Sequence, residues 1–296
     1  MRVFVIGSCG YIGARLVRRL ARAGIDVHGI SSADGSGIDP VSGLLPNNFT
    51  LPDMTDVVVY LAQSPFFRQV PDRSSHLMAV NCLSAVSAAN AARKAGVGRF
   101  IYLSTGSVYA PTFAQITETA PVRHDNWYAL SKLHGEEALK LFRLDMELIV
   151  VRPFGVYGPY QSRRLVPNLI DAVRNGWPVT LHPRMGEPED IGGLKISLCY
   201  IDDAINILLR LVREGGPSCL NLAGSEVISI RSIAEAAGSA LGCAPFFEEA
   251  SSPRDSDMIA DNHNLVRNLG PDFTPFRDGF EKVMHAYQRT YTGGPE

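Results

Sequence analysis

Tyr128 and Lys132 stand four residues apart in the run YALSK, so at helical spacing both side chains leave one face of a helix. A lysine beside a phenol favours the phenolate. This spacing predicts a Tyr128 pKa drawn toward neutrality, and a flexible ammonium that can also hold a ribose hydroxyl. Such pairs are common by chance, so their companions matter. In FIYLSTGSVY, Phe100 to Tyr109, a buried strand empties into a polar turn and puts hydroxyls at the carboxyl end of a sheet. Ligands bind at that edge in open parallel sheets. There Thr105 can hydrogen-bond a substrate oxygen while Tyr128 exchanges its proton; the same hydroxyls can also serve only the backbone of the turn.

A second constellation lies at the start of the chain. GSCGYIG puts Gly7, Gly10 and Gly13, with Tyr11 and Ile12 between the last two, directly after an apolar run and at the start of a helical pattern. Glycines there let backbone approach a pyrophosphate, and the helix N-terminus adds unpaired N–H groups and a partial positive charge. In strand-turn-helix context the motif predicts a bound dinucleotide. An acid at the end of the second strand usually selects an unmodified adenosine ribose, but Ser31 stands at that position. Ser32 follows, and Asp34 lies too far along the loop to substitute. No arginine stands beside the serines to attract a 2'-phosphate, so NAD and NADP both stay open.

These residues need a scaffold of alternating strands and helices. Arg2 to Ile6, Ile25 to Ile30, Val57 to Ala62, Phe100 to Ser104 and Leu148 to Arg152 read as strands, with helical patterns up to Ala23, at Ala79 to Ala95 and at Tyr128 to Phe142. VVVYLA does not alternate, as expected of a strand buried on both faces. Such alternation implies a doubly wound parallel sheet of Rossmann type, class α/β. Residues 1–152 form the expected dinucleotide-binding domain. From Pro153 Pro and Gly become frequent, and 153–296 is the expected smaller α/β substrate lobe. Helices are expected there at Leu165 to Asn175, Asp203 to Arg213, Ile230 to Leu241 and Phe276 to Tyr287, with a strand at Ser197 to Ile201. Ala33 to Thr55 is loop-like.

Composition narrows the partner. The 296 residues are 46% hydrophobic and 20% charged with a net charge of -2, a soluble globular balance without an electrostatic footprint for nucleic acid or anionic membrane. Five scattered cysteines, Cys9, Cys82, Cys199, Cys219 and Cys243, show neither a disulfide framework nor zinc spacing. A cytoplasmic protein acting on a small molecule, without a metal and without a membrane span, is expected.

Taken together, GxxGxxG, LAQS, STGSVY, YxxxK and RPFGVYGP resemble the extended short-chain dehydrogenase/reductase family of nucleotide-sugar epimerases, dehydratases and ketoreductases, over nearly the whole chain. The resemblance implies that Tyr128 is the acid-base residue, that Lys132 binds the nicotinamide ribose and tunes it, and that Thr105 assists. It places Ala62 and Asn81 near the cofactor and Asp39 at an adenine-contacting position, and it implies a homodimer.

Departures from the family pattern bear on substrate. Dehydratases carry an Asp-Glu pair after the threonine; Gly106 and Ser107 stand here, and neither can protonate a leaving hydroxyl or abstract a carbon-bound proton. Ser107 remains a substrate contact. Gly155 replaces an Asn that touches the substrate diphosphate in many relatives. Ile196 takes the place of an Arg, with Lys195 next door. Arg254 resembles a second phosphate-binding arginine, and His182 sits where an aromatic often packs on the nucleobase. The chemistry expected is epimerisation of a nucleotide sugar through a transient ketone. The alternatives are NAD(P)H-dependent reduction of a keto sugar and, from another class, a non-catalytic dinucleotide-sensing scaffold, against which intact Thr105, Tyr128 and Lys132 argue.

Overall fold

The structure is a computed structural model that describes residues 1–33, 35–187 and 189–292; Asp34 lies outside the described residues. In the first half the order is β1 (Arg2–Ile6), α1 (Tyr11–Arg22), β2 (Asp26–Ile30), β3 (Val57–Tyr60), α2 (Ser74–Met78), α3 (Ser84–Lys94), β4 (Arg99–Leu103), α4 (Trp127–Leu139) and β5 (Glu147–Pro153). There follow β6 (Val156–Tyr157), α5 (Leu165–Arg174), β7 (Val179–Leu181), β8 (Lys195–Ser197), β9 (Cys199–Tyr200), α6 (Ile201–Glu214) and β10 (Cys219–Leu222). The chain ends with β11 (Val227–Ser229), α7 (Ile230–Leu241), β12 (Phe247–Glu249), α8 (His263–Leu269) and α9 (Phe276–Thr292).

Six strands form one parallel sheet in the order β10-β5-β4-β3-β1-β2. Alternation along β1 divides its side chains between two cores. Val3 and Val5 pack on the α1 side with Leu16 and Leu20, while Phe4 and Ile6 join Val58, Tyr60, Ala85 and Ala88 under α3. All four residues of β3 are buried, as its unbroken apolar run requires. The expected Rossmann-type α/β sheet is therefore present. Chain order reverses between β1 and β3, and the crevice outside their carboxyl ends is where such a sheet leaves room for a ligand.

Three local features differ from the expected elements. The helix expected from Ala79 begins at Ser74 and widens into a π-turn at Ala79–Leu83. The hydroxyls of Tyr60 and Tyr102 donate to the carbonyls of Val80 and Asn81 at 2.5 and 2.6 Å, which satisfies two acceptors in that widened turn. The strand expected at Ser197 to Ile201 is split at Leu198, and Ile201 already belongs to α6. Cys219–Leu222, without a strand expectation, returns from the second half of the chain to pair with β5. Around the remaining elements, α5 packs on α7, β8 pairs with β11 and β7 with β12.

Candidate active site

A cavity of about 930 Å³ opens at the carboxyl ends of β1, β3 and β4. Gly7, Gly10, Tyr11, Ile12, Gly13, Ser31, Asp39, Ala62, Thr105, Ser107, Tyr128, Lys132 and Gly155 all line it. A smaller cavity of about 260 Å³ shares Phe67, Ser107 and Tyr128 with it and extends to Arg123, Asn126 and Asp257.

The glycine turn is built for close approach. A Cβ on Gly13 would collide with the Gly7 carbonyl oxygen, and one on Gly7, which has φ +94°, would lie 2.8 Å from the Ala62 nitrogen. A Cβ on Gly10 would meet only the Gly7 oxygen, at 3.3 Å, and otherwise project into open space. Gly10 is also the N-cap of α1 and supplies no capping side chain, and the first turn of that helix holds no acid. The first N–H groups of α1 have no intrahelical acceptor, and Gly10, Tyr11, Ile12 and Gly13 line the cavity, which suits an anion.

The candidate acid-base groups come from neighbouring elements. Asn126 caps α4 through the Ala129 N–H at 3.0 Å and so fixes the helical phase that puts Tyr128 and Lys132 on one face. Thr105 lies two residues beyond β4, accepts the Ser107 N–H at 3.1 Å and also lines the cavity, so it serves the turn and the site together. The Tyr128 hydroxyl donates to Gln63 Oε1 at 3.2 Å.

Lys132 is 2% exposed, and its ammonium donates to the Leu103 carbonyl at 2.8 Å and the Ala62 carbonyl at 3.4 Å. Burial, opposed by the charge of Glu136, brings its pKa down to about 7. Burial also raises the Tyr128 phenol above its ordinary value, against the hydrogen bond with Thr105 and the charge of Arg164, which lower it. The expected depression of Tyr128 by Lys132 is thus absent from this arrangement, because the ammonium is turned to backbone carbonyls and is itself costly to charge.

Beneath the site, Glu136 is fully buried and accepts from Ser104 and from both Nε and Nη2 of Arg152. Arg152 donates onward to the Tyr109 hydroxyl at 3.0 Å, and Tyr109 donates to Asn221 at 2.6 Å. This polar network ties the ends of β4, β5 and β10 to α4, directly behind Thr105 and Lys132.

The remaining sequence-derived candidates are not on the cavity wall. Asn81 lies under it with no exposure, donating to Ser131 at 2.9 Å, and its Oδ1 has no hydrogen-bond partner. His182 bonds the Ser252 carbonyl at 2.9 Å. Lys195 pairs with Asp190 at 2.8 Å. Arg254, 8% exposed, pairs with Asp190 at 2.8 Å and Asp257 at 3.0 Å and donates to the carbonyl of His182. Burial would raise the Asp190 carboxyl, but Lys195 and Arg254 outweigh it and hold the pKa below the usual value. On the wall, the Asp39 carboxylate accepts from Ser42 and Val41 and so braces its own loop.

Sequence reading missed Gln63, Phe67 and Arg164, all of which line the cavity. Gln63 had a signal, since it follows the VVVYLA run by one residue and the carboxyl ends of parallel strands face ligands. Phe67 and Arg164 sit in loops without a pattern.

Residues 3–223 match the NAD dependent epimerase/dehydratase family. The chain is 28% identical to a UDP-glucose 4-epimerase of Mycolicibacterium smegmatis over 87% of this chain and 88% of that one. It is 27% identical to a dTDP-4-dehydro-6-deoxy-D-allose reductase of Streptomyces bikiniensis over 81% of each. The structure of MoeE5 in complex with UDP-glucose and NAD is 25% identical and superposes with a TM-score of 0.81 over 98% of this chain and 100% of that one. The UDP-glucose 4-epimerase of Thermus thermophilus, in complex with NAD, has the same fold at 22% identity, with a TM-score of 0.78 over 97% and 99% of the two chains.

Proposed function

The chain belongs to the NAD-dependent epimerase/dehydratase family, and on that premise we propose that it epimerises a nucleotide sugar through a transient ketone. The observation that carries this reading is the convergence of the glycine turn, Thr105, Tyr128 and Lys132 on one cavity at the switch point of the sheet. The residues fit a dinucleotide. Gly10 leaves space beside an uncapped helix N-terminus whose first residues line the cavity.

NAD held by the glycine turn and Lys132 would supply a reversible hydride acceptor for the sugar carbon. Tyr128 takes the proton of the substrate hydroxyl and returns it to the same oxygen after the keto sugar has turned its other face to the hydride donor, which inverts the carbon. Thr105 donates a hydrogen bond to that oxygen while its own Oγ1 stays fixed by Ser107. With the cofactor bound, Lys132 would exchange a backbone carbonyl for a ribose hydroxyl, and in its charged form it would stabilise the phenolate. Gly106 and Ser107 supply no further acid or base, which confines the chemistry to hydride and proton transfer.

Ser31 supports a second reading, reduction of a keto sugar by NADPH. It is 7% exposed, lines the cavity and puts no carboxylate against a 2'-phosphate. Five cysteines that form no disulfide among the described residues fit the cytoplasm, and exposed Leu83, Leu141 and Leu144 beside α3 and α4 offer surface for a homodimer. Denaturing the purified protein and identifying the released dinucleotide by mass separates the two readings. Tightly held NAD is the epimerase outcome; an empty site that then binds NADPH is the reductase outcome, and an empty site that binds neither dinucleotide overturns both.

A further inference from the structure

The substrate half of the cavity is short of positive charge. Pro153, Phe154, Val156, Ile196 and Leu198 form much of its wall, and a Cβ on Gly155 would lie 2.8 Å from Leu198 Cδ2 and 3.1 Å from Ile196 Cδ1. Apolar side chains therefore fill the space above Gly155. Lys195 and Arg254 are committed to Asp190 and Asp257. Among the described residues on the cavity wall, the arginine and lysine side chains are Lys132, which is turned to carbonyls, and Arg164.

Arg164 immediately precedes α5 and is exposed at the cavity mouth. Its guanidinium lies 4.7 Å over the Phe67 ring, and that ring is 5.9 Å from the ring of Tyr128. Among the described residues no carboxylate pairs with it and it makes no hydrogen bond, so its donor fork is open while its position is held by stacking. An arginine poised this way presents paired N–H groups to the oxygens of a phosphate.

We propose that Arg164, stacked on Phe67, anchors a phosphate of the substrate and so orients the reacting carbon toward Tyr128. This rests on the nucleotide-sugar reading given above. It assigns the anion of the substrate to α5 and withdraws it from Lys195 and Arg254, whose charges Asp190 and Asp257 already satisfy. The charge of Arg164 already acts on Tyr128, lowering its pKa against the effect of burial, so the anchor and the acid-base group share one electrostatic environment.

Calorimetric titration of the protein as purified, with UDP and with inorganic pyrophosphate as probes, tests the proposal. Arg164→Gln is expected to weaken both probes about ten- to a hundredfold, the loss typical of a hydrogen-bonded charge. Arg164→Lys should recover part of that, since it keeps the charge without the fork. Affinities in Arg164→Gln within twofold of native, or a comparable loss in Lys195→Gln instead, overturn the anchor. If UDP binds the native chain and Arg164→Gln leaves it unchanged, the anchor falls while the nucleotide-sugar reading stands. If pyrophosphate binds through Arg164 and none of UDP, dTDP and GDP binds at all, the anchor stands and that reading falls. If neither probe binds the native chain, the anchor is overturned.

Discussion

The Lys132 ammonium lies 2.8 Å from the carbonyl oxygen of Leu103, the last residue of β4, so α4 and the strand that leads to Thr105 are joined through the lysine head group itself. That cation is nearly inaccessible to water, and its pKa is about 7 where an ordinary lysine has 10.5. Between those values the unfolded chain binds more protons than the folded one, so stability must rise with pH across that window. The contribution is complete above about 10.5 and is lost as pH falls through 7.

In cofactor-free protein, urea denaturation at intervals from pH 7 to 9 should therefore show stability rising by up to about 1.4 kcal/mol per pH unit relative to Lys132→Met. The comparison with the variant removes the background of other titrating groups. Parallel curves for the two proteins would mean that Lys132 is solvated in the folded state.

Tyr128→Phe keeps the ring that packs at 5.9 Å from Phe67 and deletes the hydroxyl bonded to Gln63. Turnover should drop about 10²- to 10⁴-fold while dinucleotide affinity stays within a few-fold. Near-native turnover would take Tyr128 out of the mechanism.

The glycines separate two effects. Gly13→Ala drives a Cβ into the Gly7 carbonyl and should destabilise the turn and the protein, whereas Gly10→Val projects into the cavity and should leave the melting temperature close to native while abolishing dinucleotide binding. Calorimetry and cofactor titration on both variants check this. Full cofactor affinity in a folded Gly10→Val protein contradicts it.

Glu136→Gln leaves the buried Arg152 guanidinium without its counter-charge, and Ser104 loses a charged acceptor. Removing one member of a buried pair typically costs about 3–5 kcal/mol, while an apolar replacement of both members is often nearly neutral. Denaturation of Glu136→Gln and of the double variant Glu136→Leu/Arg152→Met should show that contrast. Equal stabilities of native and Glu136→Gln would show the network to be slack.

The parts of the fold and site that could be read without coordinates are those encoded over short stretches. Val3 and Val5 against Phe4 and Ile6, the unbroken VVVY, and the interval from Tyr128 to Lys132 each follow from the period of one strand or helix. The π-turn at Ala79–Leu83 escaped because its partners, Tyr60 and Tyr102, come from two other strands. The return of Cys219–Leu222 to β5 escaped because four residues give too little pattern to announce a sheet partner.

By itself the sequence determined the strand-turn-helix with its glycines, the parallel α/β sheet and the presence of a tyrosine and a lysine on one helix face, because each is fixed by backbone geometry over a few residues. Only the tertiary structure decided the electrostatics. Whether Lys132 is charged depends on burial and on the carbonyls of Leu103 and Ala62, which lie 29 and 70 residues away. Whether Lys195 and Arg254 are available depends on Asp190 and Asp257, and whether Arg164 faces a ligand depends on Phe67, 97 residues earlier in the chain. Charge-charge and desolvation energies are set by distances through space and by exclusion of water, and neither is encoded in spacing along the chain.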